Sequence, residues 1–134
     1  MKTKLIYISN TRLPSEKANS YQTMQMCNSF SKVYDEVELW TGKSNNTKEL
    51  KLIKNVYGFY NIQETFKIRK FFQFDSKILF AINEFIWANL KNVIFSFNVC
   101  FRLIKYRNSN SIILYSRDWC FLLVYLFFKK LKLV

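Results

Sequence analysis

Apolar and polar residues alternate in blocks that predict strands separated by helices. The apolar run Lys4–Ser9 and the segment "DEVELWT", with Val37, Leu39 and Trp40, are typical of buried strands. Between them, apolar residues recur at helical spacing and predict an inward-facing stripe made of Tyr21, Met24, Cys27, Phe30 and Tyr34. We expect this helix to begin near Asn19 or Ser20, capped by Asn19. Strand, helix and strand then form a βαβ unit with parallel strands and a right-handed crossover.

The rest of the chain continues this alternation. A short strand is predicted near Leu50–Val56, and a long helix from Lys77 to Tyr106, capped by Asp75 or Ser76 and broken near Asn92. The apolar run Ser111–Tyr115 predicts another strand, followed by a helix over Trp119–Lys132. The final "LKLV" resembles the opening of a further strand.

The 134 residues therefore predict one α/β domain. We expect a Rossmann-like open parallel sheet with helices on both faces, incomplete at its carboxyl end. No repeat or linker divides the chain.

Charge and cysteine usage narrow the possible partners and compartment. The chain has 21 Lys and Arg against 9 Asp and Glu, and most of the basic excess follows residue 66. This excess of positive charge favours an anionic binding partner, which could be nucleic acid, an anionic membrane face or phosphorylated small molecules. The alternative is that the charge only keeps an apolar chain soluble. Three dispersed cysteines and no histidine argue against a disulfide framework, a zinc site or a histidine-dependent triad. We expect buried free thiols, no metal, no cofactor and, without a signal peptide, a cytoplasmic location.

The loop after the first strand lies where many α/β proteins bind phosphate, but it contains no glycine. The chain has only Gly42 and Gly58, which excludes a G-x-G-x-x-G turn and a P-loop. What remains is a helix amino terminus with free N–H groups beside polar and basic side chains, which suits an anionic or polyhydroxyl ligand. The candidate binding residues here are Arg12, Ser15, Lys17 and Asn19. The alternative is a surface loop with a capping role for Asn19.

A second candidate loop follows the strand Ser111–Tyr115. Arg117 and Asp118 come just after it, and in a parallel sheet ligands gather at the carboxyl ends of strands. The alternative is that Asp118 caps the next helix and Arg117 is solvated.

The stretch "KLIYISNTRLPSEKANSYQTMQMCNSFSKVYDEVELWT" resembles the amino-terminal domain of family-four glycosyltransferases of the GT-B fold. The resemblance is carried by an Arg-x-Pro-x-x-Lys-Ala loop, a helix with Gln and Met, an x-Val-x-Leu strand and a later Tyr-x-Arg. The matching positions are Arg12, Pro14, Lys17, Ala18, Gln22, Met26, Val37, Leu39, Tyr115 and Arg117. The resemblance is closest over residues 4–41 and 111–134.

The resemblance implies an enzyme built from two Rossmann-like halves. Residues 1–134 would be part of the acceptor-side half, and the nucleotide-sugar half would be absent from them. The whole protein would move a sugar from a nucleoside-diphosphate sugar to a glycan or lipid-linked acceptor, and this part alone would be inactive. By position, Arg12, Ser15, Lys17, Asn19 and Arg117 would line the acceptor cleft. No catalytic residue is assigned.

Two other classes of function fit parts of the sequence. A nucleic-acid-binding module could use "FKIRKFFQF", in which aromatic residues could stack on bases and Lys67, Arg69 and Lys70 could meet phosphates, although no known nucleic-acid motif is present. A stand-alone, non-catalytic α/β interaction domain is the other alternative.

Peripheral contact with an anionic membrane is also expected. The segment Ile86–Arg107 is apolar and aromatic with basic ends, but Lys91, Arg102 and several asparagines interrupt it. A spanning helix needs about twenty apolar residues, so an interfacial helix fits this segment better.

Overall fold

A computed structural model describes residues 2–44, 47–73, 83–109 and 111–134 of the chain. The elements alternate between strands and helices in chain order. They are β1 Lys4–Ile8, α1 Ala18–Phe30, β2 Glu36–Gly42, α2 Lys48–Lys51, α3 Val56–Phe59, β3 Lys67–Phe71, α4 Glu84–Leu103, a 3-10 turn Ile104–Tyr106, β4 Ile112–Ser116 and α5 Trp119–Lys130.

The four strands form one open sheet in the order β3-β2-β1-β4, and all of them are parallel. Leu5 of β1 lies opposite Val37 on one side and Ile113 on the other. This is the Rossmann-like open α/β sheet that the sequence predicts. Strand β1 is central because it is apolar on both faces, as a strand covered by helices on both sides must be.

Each face of β1 contributes to a separate core. Leu5 and Tyr7 pack with Met24 and Cys27 of α1. Ile6 and Ile8 point the other way, into a core built from α4, α5 and Trp40. The helices therefore cover both faces of the sheet, and the alternation of side chains along β1 explains why.

The predicted strand near Leu50–Val56 is wrong, because this segment contains the short helices α2 and α3. Thr47 and Asn55 cap these helices through their side chains, and Asn55 accepts a 2.9 Å hydrogen bond from Gly58 N. Local capping bonds of this kind compete with strand pairing. The third strand is instead β3, within the segment in which aromatic and basic residues alternate.

The long helix α4 differs from its predicted form. It begins at Glu84, with Asn83 as its cap, and continues without interruption through Asn92. The predicted caps Asp75 and Ser76 lie outside the described residues.

The start of α1 and the end of α5 also differ from expectation. Helix α1 begins at Ala18, so Asn19 lies inside its first turn and does not cap it. Tyr21, predicted to face inward, is about half exposed. The terminal "LKLV" forms no strand within residues 111–134. Lys132 adopts a left-handed conformation and Leu133 N donates to Phe128 O, which is a helix-ending turn.

The three cysteines are free and buried, as the sequence predicts. Burial raises the pKa of the Cys100 thiol to about 12 and also raises the pKa values of Cys27 and Cys120. These thiols therefore stay protonated at neutral pH and act as apolar core groups.

A fully buried carboxylate joins the three strands β1, β2 and β3. Glu38 of β2 accepts from Lys4 Nζ at 2.8 Å and from Trp40 Nε1 at 2.7 Å. Arg69 of β3 binds both carboxylate oxygens, with Nε at 2.8 Å and a terminal nitrogen at 3.0 Å. Burial alone raises the pKa of Glu38, but these hydrogen bonds and the charges of Lys4 and Arg69 together lower it.

The substitution Glu38→Gln should destabilise the fold strongly. It leaves two cations against a buried amide, and we expect a loss of about 2 to 4 kcal/mol in the free energy of unfolding, measured by urea denaturation. Glu36→Gln is the matched control, because Glu36 also pairs with Lys4 but its side chain is 43% exposed. The control should cost less than about 1 kcal/mol. Equal losses in the two variants would contradict a special role for Glu38.

The same carboxylate should make stability depend on acid pH. A folded-state pKa below the ordinary value of 4.5 contributes stability that is present above that value and lost as pH falls through the lowered pKa. The stability gap between wild type and Glu38→Gln should therefore shrink as pH falls, when wild-type Glu38 becomes protonated. Urea titrations from about pH 6 to about pH 3 measure this gap, and a gap that stays constant over that range would refute the prediction.

Candidate functional site

A polar cleft of about 370 Å³ lies at the carboxyl ends of β1 and β4. The order of the strands reverses at this point. From β1 the chain passes through α1 to β2 on one side of β1, whereas β4, which comes later in the chain, lies on the other side of β1. Open α/β sheets bind ligands at such a switch point. The lining residues are Tyr7, Ser9, Asn10, Thr11, Asn19, Gln22, Thr23, Asn92, Arg117, Asp118 and Trp119.

The loop after β1 is held in place by side chains on other elements. Asn10 Nδ2 donates to Asn92 Oδ1 of α4 at 2.6 Å. The hydroxyl of Thr41, at the end of β2, donates to the carbonyl of Thr11. Gly42 lies so close to Asn10 that a Cβ atom at position 42 would collide with the Asn10 side chain. The loop is therefore positioned by β2 and α4 rather than by glycines of its own.

The loop after β4 is tied to β1 by a serine. Ser116 Oγ donates to Ile8 O at 2.9 Å and accepts from Asp118 N at 3.1 Å. Asp118 then accepts from Cys120 N and Phe121 N and caps α5. The capping role was one of the two alternatives for Asp118, and the structure supports it. Arg117 lies between these anchored residues, at the rim of the cleft.

The inner wall of the cleft is formed by Tyr7 and by Thr23 of α1. Tyr7 is only 2% exposed, and burial raises the pKa of its hydroxyl, while a hydrogen bond with Thr23 acts in the opposite direction. The phenol is therefore neutral at physiological pH and can both donate and accept a hydrogen bond.

The chemistry of the lining is mostly neutral. Amide and hydroxyl groups dominate it, and each can donate or accept. Arg117 adds a positive charge, whereas the Asp118 carboxylate is already used in capping. An exposed tryptophan, Trp119, stands at the edge. Such a lining matches a ligand with many hydroxyl groups, and the first turn of α1, which has no side-chain cap, adds backbone N–H groups beside Asn19.

The five candidate residues from the sequence divide into two groups. Asn19 and Arg117 line the cleft. Arg12, Ser15 and Lys17 lie outside it. Ser15 is fully buried, and its backbone N–H and carbonyl bind the Tyr60 hydroxyl at 2.7 and 2.8 Å. Lys17 is exposed at the start of α1.

Several lining residues were not foreseen from the sequence. Asn92 is the clearest case, because it lies 82 residues from its partner Asn10. Its sequence signal was a polar residue in an apolar helix, which we interpreted as a break. Thr23 of α1 and Trp119 of α5 also line the cleft, at positions that the sequence assigned to ordinary helix.

The three basic residues of the nucleic-acid alternative all contact other groups of the protein, although Lys67, which pairs with Glu36 at 3.7 Å, is 72% exposed. Arg69 binds Glu38, and Lys70 Nζ donates to Leu13 O at 3.1 Å. Phe66 is buried and Phe71 packs on Trp40 with ring centroids 5.0 Å apart. In this segment the described side chains therefore offer a stacking surface only at Phe72, which is 67% exposed.

Comparison with known proteins gives no match to a protein family, a curated protein or a solved structure. Among the helices in the described parts of the chain, none combines the length and the apolar character needed to cross a membrane.

The link between Asn10 and Asn92 should hold the loop after β1 in place. Asn92→Ala leaves the Asn10 amide without its partner, and we expect a loss of about 1 to 2 kcal/mol in the free energy of unfolding. Asn89→Ala is the control, because Asn89 lies on the same helix and its side chain donates to Phe85 O within that helix. Both changes alter helix propensity equally, so the difference between them reports on the loop. Hydrogen exchange at Ser9–Thr11 should quicken only in Asn92→Ala, and equal exchange in both variants would contradict the link.

Proposed function

We propose that this chain is part of the acceptor-side half of a glycosyltransferase that uses a nucleoside-diphosphate sugar, and that the cleft binds the acceptor. The observation that carries the proposal is the cleft at the switch point of the sheet, lined by neutral amides and hydroxyls with one arginine and one tryptophan. A glycan or the sugar part of a lipid-linked acceptor presents hydroxyl groups that pair with such a lining. Sugar faces also pack on tryptophan.

The role of the cleft in the reaction would be positioning. Holding an acceptor hydroxyl in a fixed orientation lowers the entropic part of the barrier. Thr23 and Asn10 would orient hydroxyl groups by hydrogen bonds, and Arg117 would hold a negatively charged substituent or a hydroxyl at the rim. The donor nucleotide sugar would be bound mainly by a carboxyl-terminal half. We assign these side chains binding roles only, in a protein that works in the cytoplasm and peripherally at a membrane face.

Arg117→Ala should weaken binding of sugars to the cleft. Saturation-transfer NMR with a panel of free neutral and acidic mono- and disaccharides should show saturable binding to the wild-type chain. A hydrogen bond from a charged donor is worth about 1.5 to 3 kcal/mol, so we expect binding to weaken at least about tenfold in this variant. Arg107→Ala is the matched control, since Arg107 is exposed and lies outside the cleft, and it should bind like wild type.

Two results would contradict the proposal. One is sugar binding that is unchanged by Arg117→Ala, which would place the site elsewhere. The other is saturable micromolar binding of a nucleotide sugar by the chain alone in calorimetry, which would mean that the donor site lies within these residues.

A further inference from the structure

A groove of about 670 Å³ runs along β3, on the opposite side of the sheet from β4. Residues 67–70 of β3 all line it. Successive side chains of a strand point to opposite faces, so a groove that touches four residues in a row follows the backbone at the edge of the sheet. We call it the edge groove, and its lining shares no residue with the cleft. Its other lining residues are Lys54, Asn55, Val56, Tyr57 and Glu64.

Strand β3 keeps its place at the edge in a longer sheet as well. The strand order β3-β2-β1-β4 matches the first four strands of the doubly wound order 3-2-1-4-5-6. In that order, later strands join next to the fourth strand and not next to the third. The edge of β3 is therefore open whatever else the whole protein contains on the β4 side.

The edge of β3 presents backbone groups that other described residues do not pair. Lys43 N donates to Phe71 O at 2.7 Å, so the backbone of Phe71 faces β2. Alternate residues of a strand direct their N–H and C=O groups to opposite sides, and those of Lys70 therefore point away from the sheet. The described residues supply no hydrogen bond to either group.

Side chains close the two ends of this open edge. The Tyr57 hydroxyl donates to Phe66 O at 2.6 Å. Burial raises the pKa of this hydroxyl, and a hydrogen bond from the Ile68 backbone acts in the opposite direction. Tyr57 thus takes up the backbone groups that one residue of a neighbouring strand would use. At the other end, Asn98 Nδ2 donates to Phe72 O at 2.8 Å, so the open edge between them is short.

The charges of the edge groove select an anionic occupant. Four cationic side chains line it, against the single carboxylate of Glu64. Arg69 is bound to Glu38, whereas Lys54 is exposed and the side chain of Lys67 is 72% exposed. A second copy of the chain is a poor occupant, because pairing two β3 edges would place lysines against lysines.

The open backbone favours a peptide over a nucleic acid. The phosphates of a nucleic acid accept hydrogen bonds but do not donate them. The open edge requires an acceptor for Lys70 N–H and a donor for Lys70 O, and the backbone of an extended peptide supplies both. The aromatic ring in the lining is Tyr57, whose hydroxyl is already bonded to the strand.

We propose that the edge groove binds a short, extended, acidic segment of a partner protein, which adds to the sheet as a strand next to β3. The backbone of the segment would pair with Lys70, and its carboxylates would pair with Lys54 and Lys67. This inference goes beyond the proposed function and does not depend on sugar binding in the cleft.

The test is an NMR titration of the full chain with an acetylated and amidated peptide of about eight alternating Glu and Val residues, the length of an ordinary strand. We expect saturable binding, with a changed chemical shift and slower hydrogen exchange at Lys70 N–H. One control peptide has Lys in place of Glu. A second has the same side chains but a methyl group on every backbone nitrogen, which removes the N–H donors and keeps the charge.

Neither control peptide should bind like the acidic peptide. Equal binding of the Lys peptide would refute the selection by charge, and equal binding of the methylated peptide would refute backbone pairing. An oligothymidine that binds the same residues more tightly than the acidic peptide would overturn the proposal in favour of nucleic acid.

Two pairs of lysines test the contribution of charge. Replacing Lys54 and Lys67 by Gln should weaken binding of the acidic peptide about fivefold, because two exposed ion pairs are lost. Replacing Lys129 and Lys130 of α5 by Gln removes the same charge outside the edge groove and should have little effect. Equal effects of the two double replacements would contradict the proposed position of the peptide.

Tyr57→Phe should strengthen binding of the acidic peptide. The change removes the hydroxyl that occupies Phe66 O, so one more backbone group of β3 can pair with the peptide, and we expect a gain in affinity of about threefold. Tyr21→Phe is the control, because Tyr21 is exposed and lies outside the edge groove. Attraction between charges alone would leave the affinity of Tyr57→Phe unchanged, and that result would overturn the proposal.

Discussion

The fold depends on one buried carboxylate. Glu38 has no exposed surface, so its charge is tolerable only because Lys4, Trp40 and Arg69 surround it from three strands. Because Arg69 contacts both oxygens, the pairing of β3 with β2 is fixed by a geometry that a shifted register would break. This group therefore joins β1, β2 and β3, while β4 is positioned by its own pairing with β1.

The cleft is preorganised by bonds that cross the chain rather than by turns within its loops. Ser116 ties the loop after β4 to β1, and Asn92 ties the loop after β1 to α4. Each bond joins residues that are far apart in sequence, so neither loop needs the glycines that a phosphate-binding turn requires. The cost is that the loops hold their shape only in the folded domain. A ligand that binds there is therefore recognised by a surface assembled from four elements.

The sequence predicted those parts of the fold in which local pattern and tertiary packing agree. Strand β1 and helix α1 were predicted because the apolar positions in their sequences are largely the positions that face the core in the fold. Strand β3 was missed because its interleaved aromatic and basic residues were interpreted as a possible nucleic-acid-binding surface, whereas Arg69 is engaged by Glu38 of another strand. In the site, Arg117 follows from its position directly after β4, and Asn19 from its position at the start of α1. Asn92 could not be predicted, since its role depends on a partner 82 residues away.

Trp119 belongs to two surfaces of opposite character. It lies at the edge of the polar cleft, and it is followed along α5 by the exposed apolar residues Leu122 and Leu123. Asp118 accepts hydrogen bonds from Cys120 N and Phe121 N and so fixes the first turn of that helix, which means that one pair of capping bonds sets the position of Trp119 between the cleft and the apolar residues of α5.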